Sequence, residues 1–149
     1  MRKRYFVIGK LNEHDDFLLD ELINNLSKER MTLAKYLGDN NININTEFYY
    51  MIPRNFQRRA IFSIYEPSTT IRGVNRPIPP SYKFHHADKT TDITKVRTLT
   101  TKERSYIQTF PDNFIFIGTK TNQEQTIGNA VPVKMAEYIA TIINKHNNK

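Results

Sequence analysis

The chain has no cysteine. That absence excludes a disulfide scaffold, a thiolate-ligated zinc site and any reaction whose nucleophile is a thiol of this chain. It also lacks an apolar run near the ~18 residues that a membrane-spanning helix needs. The apolar stretch after Met1-Arg2-Lys3-Arg4 is too short for a secretory core. A soluble, cytoplasmic protein is the expectation. No internal repeat is visible. At 149 residues there is room for one domain, or one and a fraction. Such a chain buries roughly two-thirds of its unfolded surface. A catalytic barrel of ~250 residues does not fit.

What is present is positive charge, unevenly spread. The formal net charge is +7. Residues 1–53 carry a net −1 and residues 98–149 a net +2. Residues 54–97 carry nine basic groups against Glu66, Asp88 and Asp92, a net +6. Six of those nine are arginines: Arg54, Arg58, Arg59, Arg72, Arg76 and Arg97. Guanidinium forks match phosphate oxygens and guanine edges. Phe56, Phe62, Tyr65, Tyr82 and Phe84 are interleaved with them. The region reads as a surface for a polyanion, most simply nucleic acid. A solvated basic face without a partner is the plainer reading.

Residue patterns set expectations for the elements. Arg4–Lys10 is β-branched and aromatic at its centre and predicts a strand. Leu19, Leu22, Ile23 and Leu26 have helical spacing within 15–27, with Asp15 and Asp16 as N-cap candidates. A short helix is predicted over Thr32–Leu37, stopped by Gly38. Phe48–Met51, Ala60–Tyr65 and Thr69–Val74 predict strands, and Pro77–Asp88 an extended loop. Thr100-Thr101-Lys102-Glu103 fits a capping box, and its helix should end near Gln108 ahead of Pro111. Phe114–Ile117 is a short strand or a buried apolar segment. A polar helix or turn at 121–127 ends at Gly128. Pro132 opens a last helix with Val133, Ala136, Ile139, Ala140 and Ile143 on its apolar face.

Three motifs go further. Gln125-Thr126-Ile127-Gly128-Asn129-Ala130-Val131-Pro132 precedes the last helix. Arg97-Thr98-Leu99-Thr100-Thr101-Lys102-Glu103 leads into Ile107-Gln108-Thr109-Phe110-Pro111. Arg2-Lys3-Arg4 opens onto the first apolar run. In this order they resemble the tenth, ninth and eighth motifs of bacterial DNA (cytosine-5)-methyltransferases, and the resemblance covers nearly all of the chain. Two departures stand out: Lys102 replaces a frequent arginine, and the glutamine that opens the eighth motif is missing. The resemblance implies an α+β chain in three parts. Residues 1–10 would end the catalytic sheet. Residues 11–96 would be a small β-rich target recognition domain with flanking helices. Residues 97–149 would return to the α/β cofactor domain with its C-terminal helix.

The resemblance also implies roles. Arg2 and Arg4 would face the catalytic cleft, contacting the extruded cytosine and the DNA backbone. Gly128, Asn129 and Ala130 would line the S-adenosylmethionine pocket; alone, the same residues would also suit a capped helix start. Arg97, Glu103 and Gln108 would organise the recognition region. Thr70-Ile71 matches a Thr-[Leu/Val/Ile] element of such regions. Thr70 with Arg54, Arg58, Arg59, Arg72 and Arg76 would then contact double-stranded DNA.

The cofactor loop, the Pro-Cys motif and the Glu-Asn-Val segment of that family are absent. Its chemistry uses a thiolate on C6 of an extruded cytosine. The chain is therefore expected to be inactive alone, as the small subunit or C-terminal portion of a methyltransferase. The start inside the eighth motif tips the expectation toward a portion. Its partners would be DNA and the catalytic part, in a bacterial cytoplasm at the nucleoid, and unpaired surfaces would favour self-association. A stand-alone nucleic-acid-binding module is the alternative. His85-His86 with Asp88 lacks further ligands, so no metal is expected. Tyr49-Tyr50 could stack bases, though strand packing is the simpler role.

Overall fold

The computed structural model describes residues 4–55 and 57–148. Helix α1 is Leu19–Asn24 and α2 is Leu33–Asp39. Strands β1 (Phe48–Tyr50) and β2 (Ile61–Ser63) follow. A 3-10 turn at Ile93–Lys95 leads into β3 (Val96–Thr98). Helices α3 (Thr101–Ile107), α4 (Lys120–Asn129) and α5 (Val133–Asn147) complete the described elements. The result is a small mixed α+β fold.

The sheet order is β2-β1-β3, with β1 antiparallel to β2 and parallel to β3. Tyr49 stands opposite Phe62 on one side and Arg97 on the other. Because side chains alternate along a strand, β1 feeds two cores. Tyr49 and Met51 join Leu33, Leu37, Leu99 and Ile127 on one face. Tyr50 joins Ala60, Ile61 and Val96 on the other. Tyr49 and Ile61 are wholly buried. Burial pushes the Tyr49 phenol up to about 12, against its hydrogen bond with Ser68. The tyrosine pair therefore serves strand packing.

Caps define the helices where the sequence supplies them. Thr32 accepts from the Lys35 amide at 3.1 Å and starts α2. Thr100 accepts from the Glu103 amide at 3.2 Å, while Glu103 Oε2 accepts from the Thr100 amide at 2.7 Å. The reciprocal capping box is thus complete, and α3 ends at C-cap Gln108 as expected.

Several expectations are corrected. Residues 4–10 form no strand, and Tyr5 and Val7 are almost fully exposed. With no neighbouring strand beside it, an isolated segment has nothing to satisfy a ladder. Helix α1 is shorter than 15–27, and its N-cap is Leu18 without a side-chain cap; Asp15 and Asp16 precede it. Gly38 lies within α2, and the left-handed turn falls on Asn41 at φ 54. Asparagine tolerates that region better than most residues. Thr69–Val74 is irregular, because helix α4 rather than a strand lies against it. The third strand is Val96–Thr98 instead.

Phe114–Ile117 is neither strand nor buried: Ile115 and Ile117 are 81% and 89% exposed. Phe114 and Phe116 pack on Phe110 at centroid distances of 4.9 and 5.0 Å. Helix α4 extends past Gly128 to Asn129. Helix α5 runs past Asn144 to Asn147, and Ile142 is its buried residue while Ala136 and Ala140 are exposed. It packs on α1, and Tyr138 Oη donates to the Leu22 carbonyl. Among the described residues no helix is long and apolar enough to cross a membrane.

Candidate nucleic-acid interface

The loop after β1, the start of β2 and the irregular 67–72 segment enclose an open groove of about 930 Å³. Arg54, Arg58, Arg59 and Arg72 line it, with Thr69 and Thr70. Phe62 forms part of its wall, and His85 reaches it from the proline-rich loop. No acidic residue lines it among those described. Arginines separated by up to 18 positions in sequence thus share one concave surface. Arg76 does not line it; it is exposed beyond the groove.

The four groove arginines are held differently. Arg54 and Arg58 are exposed, and their side chains make no hydrogen bond or ion pair among the described residues. Arg72 donates to the Ile52 and Pro53 carbonyls, which ties the groove's two walls together. Arg59 makes a bidentate pair with Glu66, at 3.0 and 2.9 Å.

Asp88 fixes the His85 side. Its Oδ1 accepts from the Ala60 and Ile61 amides at 2.9 and 3.0 Å. Its Oδ2 accepts from the His85 amide at 2.8 Å and from Tyr82 Oη. Burial opposes ionisation of Asp88. The hydrogen bonds from Tyr82 and the three amides outweigh it and hold the carboxyl below its usual range. A carboxylate so occupied anchors a loop rather than a metal. Among the described residues no cluster of three or more metal-ligating side chains occurs.

Behind the groove, α3 and α4 form a polar-stapled support. Arg97 makes a bidentate pair with Glu103 at 2.7 and 2.6 Å. Burial raises the Glu103 carboxyl, but hydrogen bonds from Arg97 and Thr100 outweigh it and lower it. Gln108 Nε2 donates to the Ile127 carbonyl at 2.9 Å and to the Ala130 carbonyl at 3.4 Å. The Gln108 carbonyl and Thr109 Oγ1 accept from the amides of Val133 and Lys134, at 3.0 and 2.9 Å. The end of α3 thereby caps the start of α5.

Arg4 donates to the Ala130 carbonyl. It lines a second cavity, of about 360 Å³, with Thr70, Gln108 and Pro132. Four residues singled out in distant parts of the sequence, Arg4, Thr70, Gln108 and Ala130, thus meet at one place. Arg2 lies outside the described residues. Asn129 is exposed and Ala130 half-buried, beside Asn122, Gln125 and Thr126 on a shallow polar surface. Gly128 is buried and helical. A Cβ there would lie 2.3 Å from the Gly73 amide nitrogen and 2.5 Å from the Arg72 carbonyl carbon. The glycine permits a helix to touch backbone, a close approach rather than a turn.

Sequence reasoning missed the pair that joins these parts. Arg104 and Glu124 form an ion pair at 2.6 Å, with side chains 3% and 5% exposed. Burial lowers the Arg104 guanidinium, against the attraction of Glu124. Glu124 Oε1 accepts from Thr101 Oγ1 at 2.8 Å and from Asn75 at 3.2 Å. Arg104 donates to the Arg72 carbonyl, at the edge of the groove. Arg104 stands between Glu103 and Ser105, and nothing in sequence marks it as buried or links it to Glu124.

Comparison with known proteins gives the family of the chain. The profile of the C-5 cytosine-specific DNA methylase family matches residues 1–145. The chain is 56% identical over 143 residues to the Type II methyltransferase M.HindV of Haemophilus influenzae, covering 95% of this chain and 46% of that protein. It is 50% identical over 149 residues to the Type II methyltransferase M.HgiDI of Herpetosiphon aurantiacus, covering 100% of this chain and 47% of that protein. A 32% identity over 142 residues links it to the Type II methyltransferase M1.HphI of Haemophilus parahaemolyticus, over 93% of this chain and 34% of that protein. The chain spans about half the length, or less, of these curated relatives. No solved structure matches. The chain belongs to the C-5 cytosine-specific DNA methylase family.

Proposed function

We propose that this chain is the C-terminal, DNA-recognising part of a DNA cytosine-5 methyltransferase. The observation that carries the reading is the groove: arginines on a concave surface without a carboxylate, beside Thr70. Exposed Arg54 and Arg58 suit phosphate contacts, which fix register on a duplex. Arg76, outside the groove, would extend the contact along the backbone. Arg97, Glu103 and Gln108 hold the support on which the groove rests.

Arg4 and, beside it in sequence, Arg2 would face the extruded cytosine. The meeting of Arg4, Thr70 and Gln108 around one cavity supports that placement. Asn129 and Ala130 would form one wall of an S-adenosylmethionine site, where the exposed Asn129 amide suits a polar ligand and Ala130 is held by Thr126, Arg4 and Gln108. Gly128 would act there by letting α4 seat closely. S-adenosylmethionine, when bound, supplies the methyl group. The chain has no cysteine. The thiolate must therefore come from another part of the enzyme, and methyl transfer needs both.

Duplex binding measured against salt tests the reading. The logarithm of the affinity should fall linearly with the logarithm of salt, and Arg58→Ala should flatten the slope by about one unit. Methylation should be absent with this chain alone and appear on adding a chain that carries the missing cysteine and cofactor loop. Methylation by the isolated chain, or salt-independent binding, would overturn the proposal.

A further inference from the structure

The groove arginines divide into two kinds, and the division identifies a base reader. Arg59 is the arginine whose position is set from several sides at once. Its terminal nitrogens meet Glu66 Oε1 and Oε2 at 3.0 and 2.9 Å. Its guanidinium lies over the Phe62 ring, 4.5 Å from the centroid. Phe62 is itself fixed in β2, stacked on buried Tyr49. Glu66 is oriented in turn by the Ser63 amide, which donates to Oε1 at 3.1 Å. Lys89 stands 3.7 Å from Oε2, so one carboxylate faces two cations and the cluster stays positive.

Yet the Arg59 side chain remains 28% exposed and lines the groove. A guanidinium has five N–H donors in a planar fork. The pair with Glu66 uses the two hydrogens between the terminal nitrogens. Nε–H and the adjacent outer hydrogen form a second fork, which suits the O6 and N7 acceptors of guanine. A held fork loses less side-chain freedom on binding than a loose one. Arg54 and Arg58 have no such support and suit the less exacting phosphate.

We propose that Arg59 reads a guanine in the major groove of the target duplex and that Glu66 is its positioning residue. This rests on the DNA-binding reading above and deepens it. The interaction should confer roughly 5- to 150-fold preference for a G·C pair at one position.

The test is binding of the 149-residue chain to a randomised duplex library, followed by titration of the preferred duplex with 7-deazaguanine at each guanine in turn. The wild-type chain should prefer guanine at one position, and removing N7 there should weaken binding at least about fivefold. Arg59→Ala should erase the preference at that position and no longer respond to the N7 deletion. Glu66→Gln should blunt the preference at the same position while leaving the others and the salt slope in place. Arg58→Ala should change the slope and not the preference. An intact preference in both Arg59→Ala and Glu66→Gln would overturn the assignment while DNA recognition stands. So would a wild-type chain insensitive to every N7 deletion, a result that needs no variant to fold. A wild-type chain that binds no duplex would overturn this inference and the DNA reading together.

Discussion

Residues 4–31 and the described residues from Phe48 to Ala130 are built on opposite principles. In the first, Tyr5, Val7, Leu11, Ile23 and Leu26 are mostly exposed, and Leu18 is the buried apolar residue. In the second, β1 is enclosed on both faces and even a charged pair, Arg104 with Glu124, is buried. The polar side chains of both regions reach remote segments. Those at the N-terminal end pair locally, as Lys10 with Glu13, or reach the C-terminal third, as Arg4 to the Ala130 carbonyl and Glu21 to His146. Those of the central block lock its segments to one another: Arg104 to Glu124, Gln108 to Ala130, Asn75 to Glu124. The central block shares its larger core with α2. The N-terminal end carries apolar surface with no cover within the described chain, which fits a protein spanning about half of its relatives.

The sharpest way to break the contrast is inside the buried network. Glu124→Ala leaves Arg104 charged and uncompensated, and should destabilise the fold by about 3–5 kcal/mol in urea unfolding. Gly128→Ala comes next. The added methyl meets backbone of Arg72 and Gly73, which cannot swing aside, and a loss of about 3 kcal/mol is expected. The matching change at Gly38, where nothing lies within 4 Å, should instead stabilise by up to about 1 kcal/mol through helix propensity.

Thr100→Ala removes the capping-box acceptor of α3 and should cost about 1 kcal/mol. Acid sharpens the comparison in another way. Asp88 and Glu103 have carboxyls held below their ordinary 3.8 and 4.5 in the folded chain. Their contribution is complete above those values and is lost as pH falls through the lower folded ones. Asp88→Asn should therefore lower the thermal midpoint at neutral pH and reduce its further fall in acid. The smallest effect on folding is expected for Val7→Ser with Leu11→Ser, within about 0.5 kcal/mol. Their effect should appear in sedimentation, as weaker self-association with rising concentration.

Much of the central block could be read from residues because local rules govern it. The capping box needs only Thr100 and Glu103, three apart on one turn, and it forms. Phe48–Tyr50 alternates between two apolar faces, and its strand forms. The excess of arginine over residues 54–97 is plain in sequence, and four of those arginines share the groove. Other features depended on segments that meet only in three dimensions. Arg4–Lys10 has strand composition but no neighbouring strand, so composition alone misled. Gly128 looked like a turn residue, yet its small size serves contact with Arg72 and Gly73, far away in sequence. Whether an arginine is loose like Arg58 or gripped like Arg59 depends on where Glu66 and Phe62 fall around it. Sequence determined the charge, the caps and the alternation, since each is set within a few residues. Tertiary structure decided which arginines share a groove and which buried charges pair, because those energies depend on distances between remote segments.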